Sequence, residues 1–217
     1  MKITKLGHCC LLIEIQGVRF LTDPGNYTTL QNEIKNIDTV VISHEHTDHL
    51  HIESVKAILE NNPRAIIISN GSAGKILEKE NIPYVKIADG EEYKINGVVI
   101  SGHGQKHAPI YQDYEQIENT GYFFDLPESG KNLFYPGDAF TKLDQAIDIL
   151  AFPIAGPWLN IQQAMDYVLE TKPRVAIPVH DGGLTKNTGI VKRLPELYFP
   201  KNNIKYVYLE INKEVEL

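Results

Sequence analysis

The feature that most constrains this chain is the stretch Ser43-His44-Glu45-His46-Thr47-Asp48-His49-Leu50-His51, which holds four imidazoles and two carboxylates. Neutral imidazole and carboxylate suit Zn²⁺, Mn²⁺ or Fe, so this crowding indicates a metal site. Residues 39–42 before it predict a short buried strand, and the apolar residues after it fall on one helical face. The cluster is therefore expected on a loop between a strand and a helix. Solvated histidines decorating a loop are the alternative, which this density disfavours.

The rest of the chain alternates between predicted strands and helices. Asn70 and Asn160 are candidate N-caps of two helices, and Asn96-Gly97 predicts a type I′ hairpin turn. Hairpins mixed with strand-helix units predict a mixed α/β (α+β) fold of two packed sheets with helices outside. The remaining strands are predicted at residues 2–6, 9–16, 18–22, 65–69, 84–88, 91–95, 98–101, 121–126, 132–135, 147–153, 174–179 and 204–210.

Length and composition bound the class of protein. With 217 residues and 42% hydrophobic residues, the chain is expected to form one domain over residues 1–217. It shows neither a secretory signal nor a long apolar segment, which predicts a soluble, cytoplasmic protein without membrane contact. Cys9 and Cys10 are adjacent and are expected to be buried, reduced thiols, since neighbours on a strand point to opposite faces. A formal charge of −7 disfavours nucleic acid as a partner.

The histidine-rich loop resembles a known family. His44-x-His46-x-Asp48-His49 is similar to the H-x-H-x-D-H signature of the metallo-β-lactamase fold superfamily of metal-dependent hydrolases. That family's fold, a four-layer αββα sandwich, agrees with the predicted elements. The segments at residues 6–14, 21–25, 107–122, 155–159 and 177–182 also resemble a subgroup of bacterial metallo-β-lactamase fold hydrolases and the ascorbate-6-phosphate lactonase-like proteins. The match to that lactonase is distant, so its substrate does not carry over.

The resemblance implies a binuclear metal centre. It places three histidines on the first ion, one aspartate and two histidines on the second, and an aspartate between the ions. These residues are, in that order, His44, His46 and His107; Asp48, His49 and His180; and Asp138. Three donors per ion leave coordination positions open, as catalytic sites need. His103 and His107 follow the same predicted strand, and the resemblance favours His107 as the ligand. His103 is the alternative ligand and otherwise is expected to line the pocket.

Three further residues are candidates for the surroundings of the metals. Asp23, at a strand end, can accept the second ring N–H of a metal-bound imidazole, or can simply open the Asp23-Pro24-Gly25 turn. His8 either faces the pocket or ends its strand. Trp158, the only tryptophan, forms either a pocket wall or a cover over the edge of the core.

The function expected from these features is metal-dependent hydrolysis. Two divalent ions, Zn²⁺ ahead of Mn²⁺ or Fe, would provide a hydroxide that attacks a carbonyl or phosphoryl centre, with Asp48 and Asp138 as ionised catalytic ligands. The expected substrate is a small ester, a lactone or a phosphorylated metabolite. The alternatives are a phosphodiesterase, an iron-dependent oxidoreductase and a non-catalytic, metal-dependent ligand-binding protein on the same fold. Whether the chain forms a homo-oligomer stays open.

Overall fold

The computed structural model describes residues 1–184 and 189–217, and within them the chain forms two seven-stranded β-sheets. In spatial order, the first sheet consists of β14 (Glu214–Glu216), β1 (Lys2–Gly7), β2 (Cys10–Ile15), β3 (Val18–Thr22), β4 (Thr39–Ile42), β5 (Ile66–Ser69) and β6 (Val85–Lys86). The second consists of β13 (Lys205–Tyr206), β12 (Val175–Val179), β11 (Ile149–Pro153), β10 (Lys131–Tyr135), β9 (Gly121–Leu126), β8 (Val98–His103) and β7 (Glu92–Ile95).

Each sheet combines hairpins with a run of parallel strands. In the first sheet β1, β2 and β3 pair antiparallel, whereas β3, β4, β5 and β6 are parallel. In the second, β7, β8, β9 and β10 pair antiparallel, and β10 to β13 are parallel. The turn between β7 and β8 is Asn96-Gly97 with φ of 47° and 85°, as a type I′ turn requires. Parallel strands bring their carboxyl ends to a common edge, which is where loops can build a site.

Helices cover the outer face of each sheet. The four α-helices within residues 1–184 and 189–217 are α1 (Ile52–Asn61), α2 (Gly71–Lys79), α3 (Ile161–Thr171) and α4 (Gly189–Tyr198), with 3-10 turns at Leu30–Glu33 and Pro200–Asn202. The side chain of Asn70 accepts a hydrogen bond from the Ala73 N–H at the start of α2. Asn160 and Gln163 form a capping box at the start of α3. Both predicted N-caps are therefore confirmed.

The apolar residues divide into three clusters that define the layers. Residues on one face of each strand, such as Val41 and Ile177, meet in a central cluster between the two sheets. Val40 and Ile42 point the opposite way and pack with α1 and α2, because successive strand residues alternate between faces. The outer face of the second sheet packs against α3 and α4 through Phe152 and its neighbours. The order is helix, sheet, sheet, helix, which confirms the predicted αββα sandwich.

The C-terminal part of the chain departs from the prediction. The strand expected at residues 204–210 is wrong beyond its first pairs, because only Lys205–Tyr206 pairs with β12. The chain then crosses to the other sheet, where Glu214–Glu216 pairs with β1. The alternating apolar residues between 204 and 210 predict that one face of this segment is buried. They do not determine which strand the segment pairs with. Helix α4 was not predicted; it contains Pro195, which interrupts a helical pattern.

The longest α-helix in the two described ranges has 11 residues. No helix there has the length and apolar character that crossing a bilayer demands. Both cysteines are buried and unpaired, as expected from their adjacent positions.

Candidate metal centre

The ligand-type residues predicted from the sequence meet at the edge of the sandwich where the parallel strands end. Residues 44–49 follow β4, and His107, Asp138 and His180 follow β8, β10 and β12. Two glycines allow these loops to approach one another closely. A Cβ on Gly25 would lie 1.8 Å from the carbonyl oxygen of Asp48, and Gly137 has φ of 63° beside Ser43. Both positions therefore require glycine.

One group of donors consists of His44, His46, His107 and Asp138, whose ligand atoms all lie within 4.8 Å of one another. His44 Nε2 is 3.1 Å from His46 Nδ1, and His107 Nε2 is 3.4 Å from Asp138 Oδ2. The Nδ1 atom of His107 lies 2.5 Å from the carbonyl oxygen of Ala108 and donates to it, which leaves Nε2 to face the group. These are the three histidines assigned to the first ion, together with the shared aspartate.

A second group lies beside the first and shares Asp138 with it. Asp48 Oδ2 is 3.7 Å from His49 Nε2 and 3.5 Å from His180 Nε2. Asp138 reaches the same nitrogens, with Oδ1 3.3 Å from His49 Nε2 and Oδ2 2.9 Å from His180 Nε2. Because its carboxylate contacts histidines of both groups, Asp138 occupies the position that a bridging ligand needs.

Several of these buried atoms lack a partner, which tests whether a metal fits. Among the described residues, none makes a well-aligned hydrogen bond to His49 Nε2, His107 Nε2, His180 Nε2 or Asp138 Oδ1, although Asp138 Oδ2 lies 2.9 Å from His180 Nε2. An unsatisfied buried polar atom costs about 1–3 kcal/mol, so four converging on one place need a common explanation. Cations bound between imidazole and carboxylate donors would satisfy all four. The residues therefore fit divalent metal ions.

The charge states inside the cluster suit metal binding. Burial and the neighbouring His49 hold the pKa of His44 well below its usual range, so His44 is neutral and can donate a lone pair. Burial would raise the pKa of Asp138, but His49 and His180 outweigh it and keep the pKa well below the usual range. Burial lowers the pKa of His49, whereas Asp138 and other neighbours raise it strongly. The raised pKa means that His49 binds a proton readily in the metal-free protein, and a metal ion bound to His49 would replace that proton.

Asp23 fixes the orientation of His49. This fully buried carboxylate accepts hydrogen bonds from His49 Nδ1 at 2.6 Å and from the Tyr135 hydroxyl at 2.5 Å. It also accepts from the backbone N–H and the hydroxyl of Ser43, at 2.7 and 2.6 Å. Since Nδ1 carries the proton, the lone pair of His49 Nε2 points into the second group. The structure places Asp23 where an imidazole-orienting carboxylate is expected.

His8 makes a similar contact with Asp48. The Gly182 N–H donates to His8 Nδ1 at 3.0 Å, so the ring proton sits on Nε2, which donates to Asp48 Oδ2 at 3.1 Å. The ring of His8 also stacks on Tyr27, with 4.3 Å between centroids. Burial raises the pKa of Asp48, but the His8 hydrogen bond and nearby histidines lower it to about 2 overall. His8 therefore orients an ionised Asp48.

Trp158 belongs both to the core edge and to the site. It is buried, and its Nε1–H donates to Asp138 Oδ2 at 3.0 Å. It also lines a cavity of about 420 Å³ that opens over the two groups. The described residues around this cavity are Asn26, Tyr27, His46, Thr47, Asp48, His107, Ile110, Asp138, Pro157, Trp158 and His180. Another hollow, of about 520 Å³ beside Arg19 and Arg64, is larger than this cavity. None of the described clusters of metal-binding side chains lies there, so cavity volume alone does not identify the functional site.

His103 lies apart from the cluster. Its Nε2 is 2.9 Å from the Ser101 hydroxyl, and its ring packs edge-on against Phe123 and Phe134. It is absent from the described residues that line the cavity of about 420 Å³, so its pocket-lining role stays a prediction. Strand β8 ends at His103 itself, and three more residues follow before His107 reaches the site.

Other side chains that support the metal centre were not predicted from the sequence. Asn119 accepts a hydrogen bond from the Asp138 N–H at 3.0 Å and donates to the Pro136 carbonyl at 2.9 Å, which fixes the loop carrying the shared aspartate. Tyr135 and Ser43 hold Asp23, as described above. Each of these side chains stands beside a predicted ligand or in a segment that carries the family resemblance, which is the one clue that could have identified them.

Comparison with known proteins agrees with this geometry. Residues 2–180 match the family described as a β-lactamase superfamily domain. Protein Rv0786c of Mycobacterium tuberculosis is 31% identical over 180 residues, which are 83% of this chain and 84% of that protein. The UPF0173 metal-dependent hydrolase of Carboxydothermus hydrogenoformans is 28% identical over 194 residues, with 83% and 84% covered.

The fold is also shared with a solved structure. Igni18, a metallo hydrolase from the archaeon Ignicoccus hospitalis, superposes with a TM-score of 0.77 and 22% identity, covering 99% of this chain and 97% of its own. The match over residues 2–180, the relative at 31% identity and the αββα sandwich lead to one conclusion. The chain belongs to the β-lactamase superfamily domain family and has the metallo-β-lactamase fold.

Proposed function

We propose that this protein is a hydrolase that uses two divalent metal ions to cleave a small ester or lactone. The observation that carries the proposal is the pair of donor groups that share Asp138 at the base of an open cavity, with unpartnered buried atoms facing inward. The relative from Carboxydothermus hydrogenoformans is named a metal-dependent hydrolase and Igni18 a metallo hydrolase, which supports the same reaction class.

The first ion would be held by His44, His46 and His107, and the second by Asp48, His49 and His180. When bound, such ions act as Lewis acids toward a carbonyl oxygen and lower the pKa of water toward 7. Other side chains of the protein hold the metal-binding side chains in place. Asp23 and His8 fix the orientation of His49 and Asp48, and this rigidity keeps the second group ready without rearrangement.

The two aspartates of the site have separate tasks. Asp138 is buried and hydrogen bonded by Trp158, so it stays an ionised donor between the two groups. The side chain of Asp48 is 22% exposed and borders the cavity, so it can contact both an ion and a bound substrate. A carboxylate with a pKa of about 2 is a poor proton donor at neutral pH, so Asp48 would act as an ionised donor to the second ion.

The walls of the cavity indicate the substrate class. Tyr27, Ile110, Pro157 and Trp158 give it an apolar rim around the ligand-type floor. Among the described residues on its wall, none is Lys or Arg. An uncharged acyl group fits this lining better than a phosphodiester, and the net charge of −7 disfavours RNA or DNA as a substrate. A phosphorylated metabolite is the alternative to be compared directly.

Zinc is the proposed metal. Imidazole and carboxylate donors also suit Mn²⁺ and Fe, so the metal has to be measured. Elemental analysis of protein purified without chelators should give up to two zinc ions per chain. His44→Ala and His180→Ala each remove a donor from a different group, so each should lose one ion first. Full metal content in both variants would contradict the binuclear site.

Activity is tested with a panel of lactones, aryl esters, phosphorylated sugars, phosphodiesters and β-lactams, using protein loaded with Zn²⁺ or Mn²⁺. Lactones or esters should be turned over, and His46→Ala should abolish that turnover, which excludes a contaminating enzyme. Turnover confined to phosphodiesters would overturn the substrate class. Oxygen-dependent turnover with bound iron, or tight ligand binding without turnover, would overturn the hydrolase.

A further inference from the structure

Cys9 lies inside the second donor group, although neither the family match nor the sequence motifs assign it a role there. It occupies the turn between β1 and β2, next to His8, whose φ of 46° closes that turn. The sulfur of Cys9 and ring nitrogens of His8, His49 and His180 all lie within 4.8 Å of one another. All four residues are buried.

The hydrogen bonds decide which of these four side chains are free to bind a cation. His8 is excluded, because its Nδ1 accepts from Gly182 and its Nε2–H donates to Asp48. His49 uses only Nδ1, toward Asp23, and its Nε2 has no described hydrogen-bond partner. His180 Nε2 likewise accepts or donates no well-formed hydrogen bond among the described residues, although Asp138 Oδ2 lies 2.9 Å from it. The cluster therefore brings one thiol close to two histidines, each of which keeps a ring nitrogen for a cation.

We propose that Cys9 is a thiolate ligand of the second metal ion, together with His49 and His180. This inference rests on the proposed binuclear centre and adds a sulfur donor to it. On binding, the Cys9 thiol loses its proton to solvent and the sulfur forms a bond to the cation, with no change of oxidation state. Asp48 and Asp138 stay within reach of the same ion.

The neighbouring cysteine shows that burial alone does not create this arrangement. Cys10 is as deeply buried as Cys9, at 1% exposure, but it points to the opposite face of the sheet. There it packs with apolar side chains such as Leu21 and Val40, under the helices. Cys9 also packs with apolar side chains, in the central cluster, but in addition it lies in the group that contains His49 and His180. Cys10 is therefore a matched control for any effect of losing a buried thiol.

A sulfur donor would set the metal preference of the two positions apart. The first group offers only nitrogen and oxygen, whereas the second would offer sulfur as well. Thiolate favours Zn²⁺ and Co²⁺ over Mn²⁺ and Mg²⁺. We therefore expect Mn²⁺ to fill the first position more readily than the second.

Cobalt substitution tests the proposal directly, because a thiolate bound to Co²⁺ gives an intense near-ultraviolet charge-transfer band that imidazole and carboxylate do not give. The metal-free protein is titrated with Co²⁺ while the visible d–d bands count the bound ions. Wild type and Cys10→Ser should develop the near-ultraviolet band as one of the two ions binds. Cys9→Ser should lack the band and bind that ion at least about tenfold more weakly.

The outcomes separate the two proposals. Two bound Co²⁺ ions in wild type without the near-ultraviolet band would overturn the role of Cys9 and leave the binuclear centre standing. Binding of fewer than two ions in wild type would overturn the binuclear centre itself. Since the wild-type spectrum alone decides the sulfur contact, the test stays decisive even if Cys9→Ser fails to fold. X-ray absorption at the zinc edge provides a second readout, in which a sulfur neighbour is expected for wild type and Cys10→Ser only.

Discussion

Replacing Asp23 by asparagine should weaken both the fold and the metal centre. One oxygen of Asp23 accepts from the Ser43 N–H at 2.7 Å, and the other accepts from His49, Tyr135 and the Ser43 hydroxyl. An asparagine can place its NH₂ group toward only one of these sides. If the NH₂ group faces the Ser43 N–H, two donors oppose each other. If it faces His49, the ring proton has to move to Nε2, and the metal site loses that lone pair.

The magnitude follows from these contacts. One buried donor left without an acceptor costs about 1–3 kcal/mol, and loss of the carboxylate charge weakens the surviving bonds by roughly 1 kcal/mol more. We therefore expect Asp23→Asn to lower the free energy of unfolding of the metal-free protein by about 2–4 kcal/mol. Metal affinity should fall about 10–100-fold, as is typical when the partner of a ligating histidine is removed.

Urea unfolding of the metal-free protein and competition with a chromophoric chelator measure the two effects separately. Asp38→Asn is the matched control, because the carboxylate of Asp38 accepts from the Arg19 N–H at 2.8 Å and lies in the loop before β4, away from the donors. It should leave metal affinity unchanged. If Asp23→Asn stays within about 0.5 kcal/mol of wild type and binds metal equally well, the assigned role of this carboxylate is wrong.

Three further predictions concern single side chains. His107→Ala should lower metal affinity far more than His103→Ala in the same chelator competition, because only the first removes a donor; equal losses would refute the assignment. Lys5→Met should cost roughly 3 kcal/mol in urea unfolding, because it removes the buried ammonium 2.7 Å from the Asp181 carboxylate and leaves the Tyr208 hydroxyl as the described side-chain donor to that carboxylate. The exposed Lys2→Met should cause no measurable change. Because the pKa of Asp48 is lowered to about 2 in the folded state, its ionised form should stabilise the metal-free protein above about pH 4, and this stabilisation should be lost as the pH falls toward 2. Asp48→Asn should flatten that part of the curve of unfolding free energy against pH. An unchanged curve would count against the lowered pKa.

Much of the fold could be predicted because local rules and tertiary packing agree. The strand before the histidine-rich loop is buried on both faces, and the helix after it packs one apolar stripe, as the sequence pattern indicates. The polar caps Asn70 and Asn160 and the turn Asn96-Gly97 depend on interactions only a few residues apart. Such short-range chemistry is readable without knowing what lies across the interface.

The parts that could not be predicted depend on distant partners. The crossing of residues 207–213 from one sheet to the other is decided by which strand edges are free, and these edges belong to β12 and β1. The four contacts of Asp23 come from residues 20 and more than 100 positions away, such as Ser43 and Tyr135. Cys9 looked like an ordinary core thiol, since its sequence neighbours are apolar and nothing local points to His180. Only the folded arrangement brings these groups together.

The donors of the centre come from both sheets, with residues 44–49 on one side and His107, Asp138 and His180 on the other. Neither sheet completes either of the two donor groups alone, so each ion of the proposed centre would fasten the two halves of the sandwich together. At a free metal concentration 100-fold above Kd, one site adds about 2.7 kcal/mol to the free energy of unfolding. Metal supply would then influence the lifetime of this protein, because molecules without metal would unfold more often and would be degraded sooner.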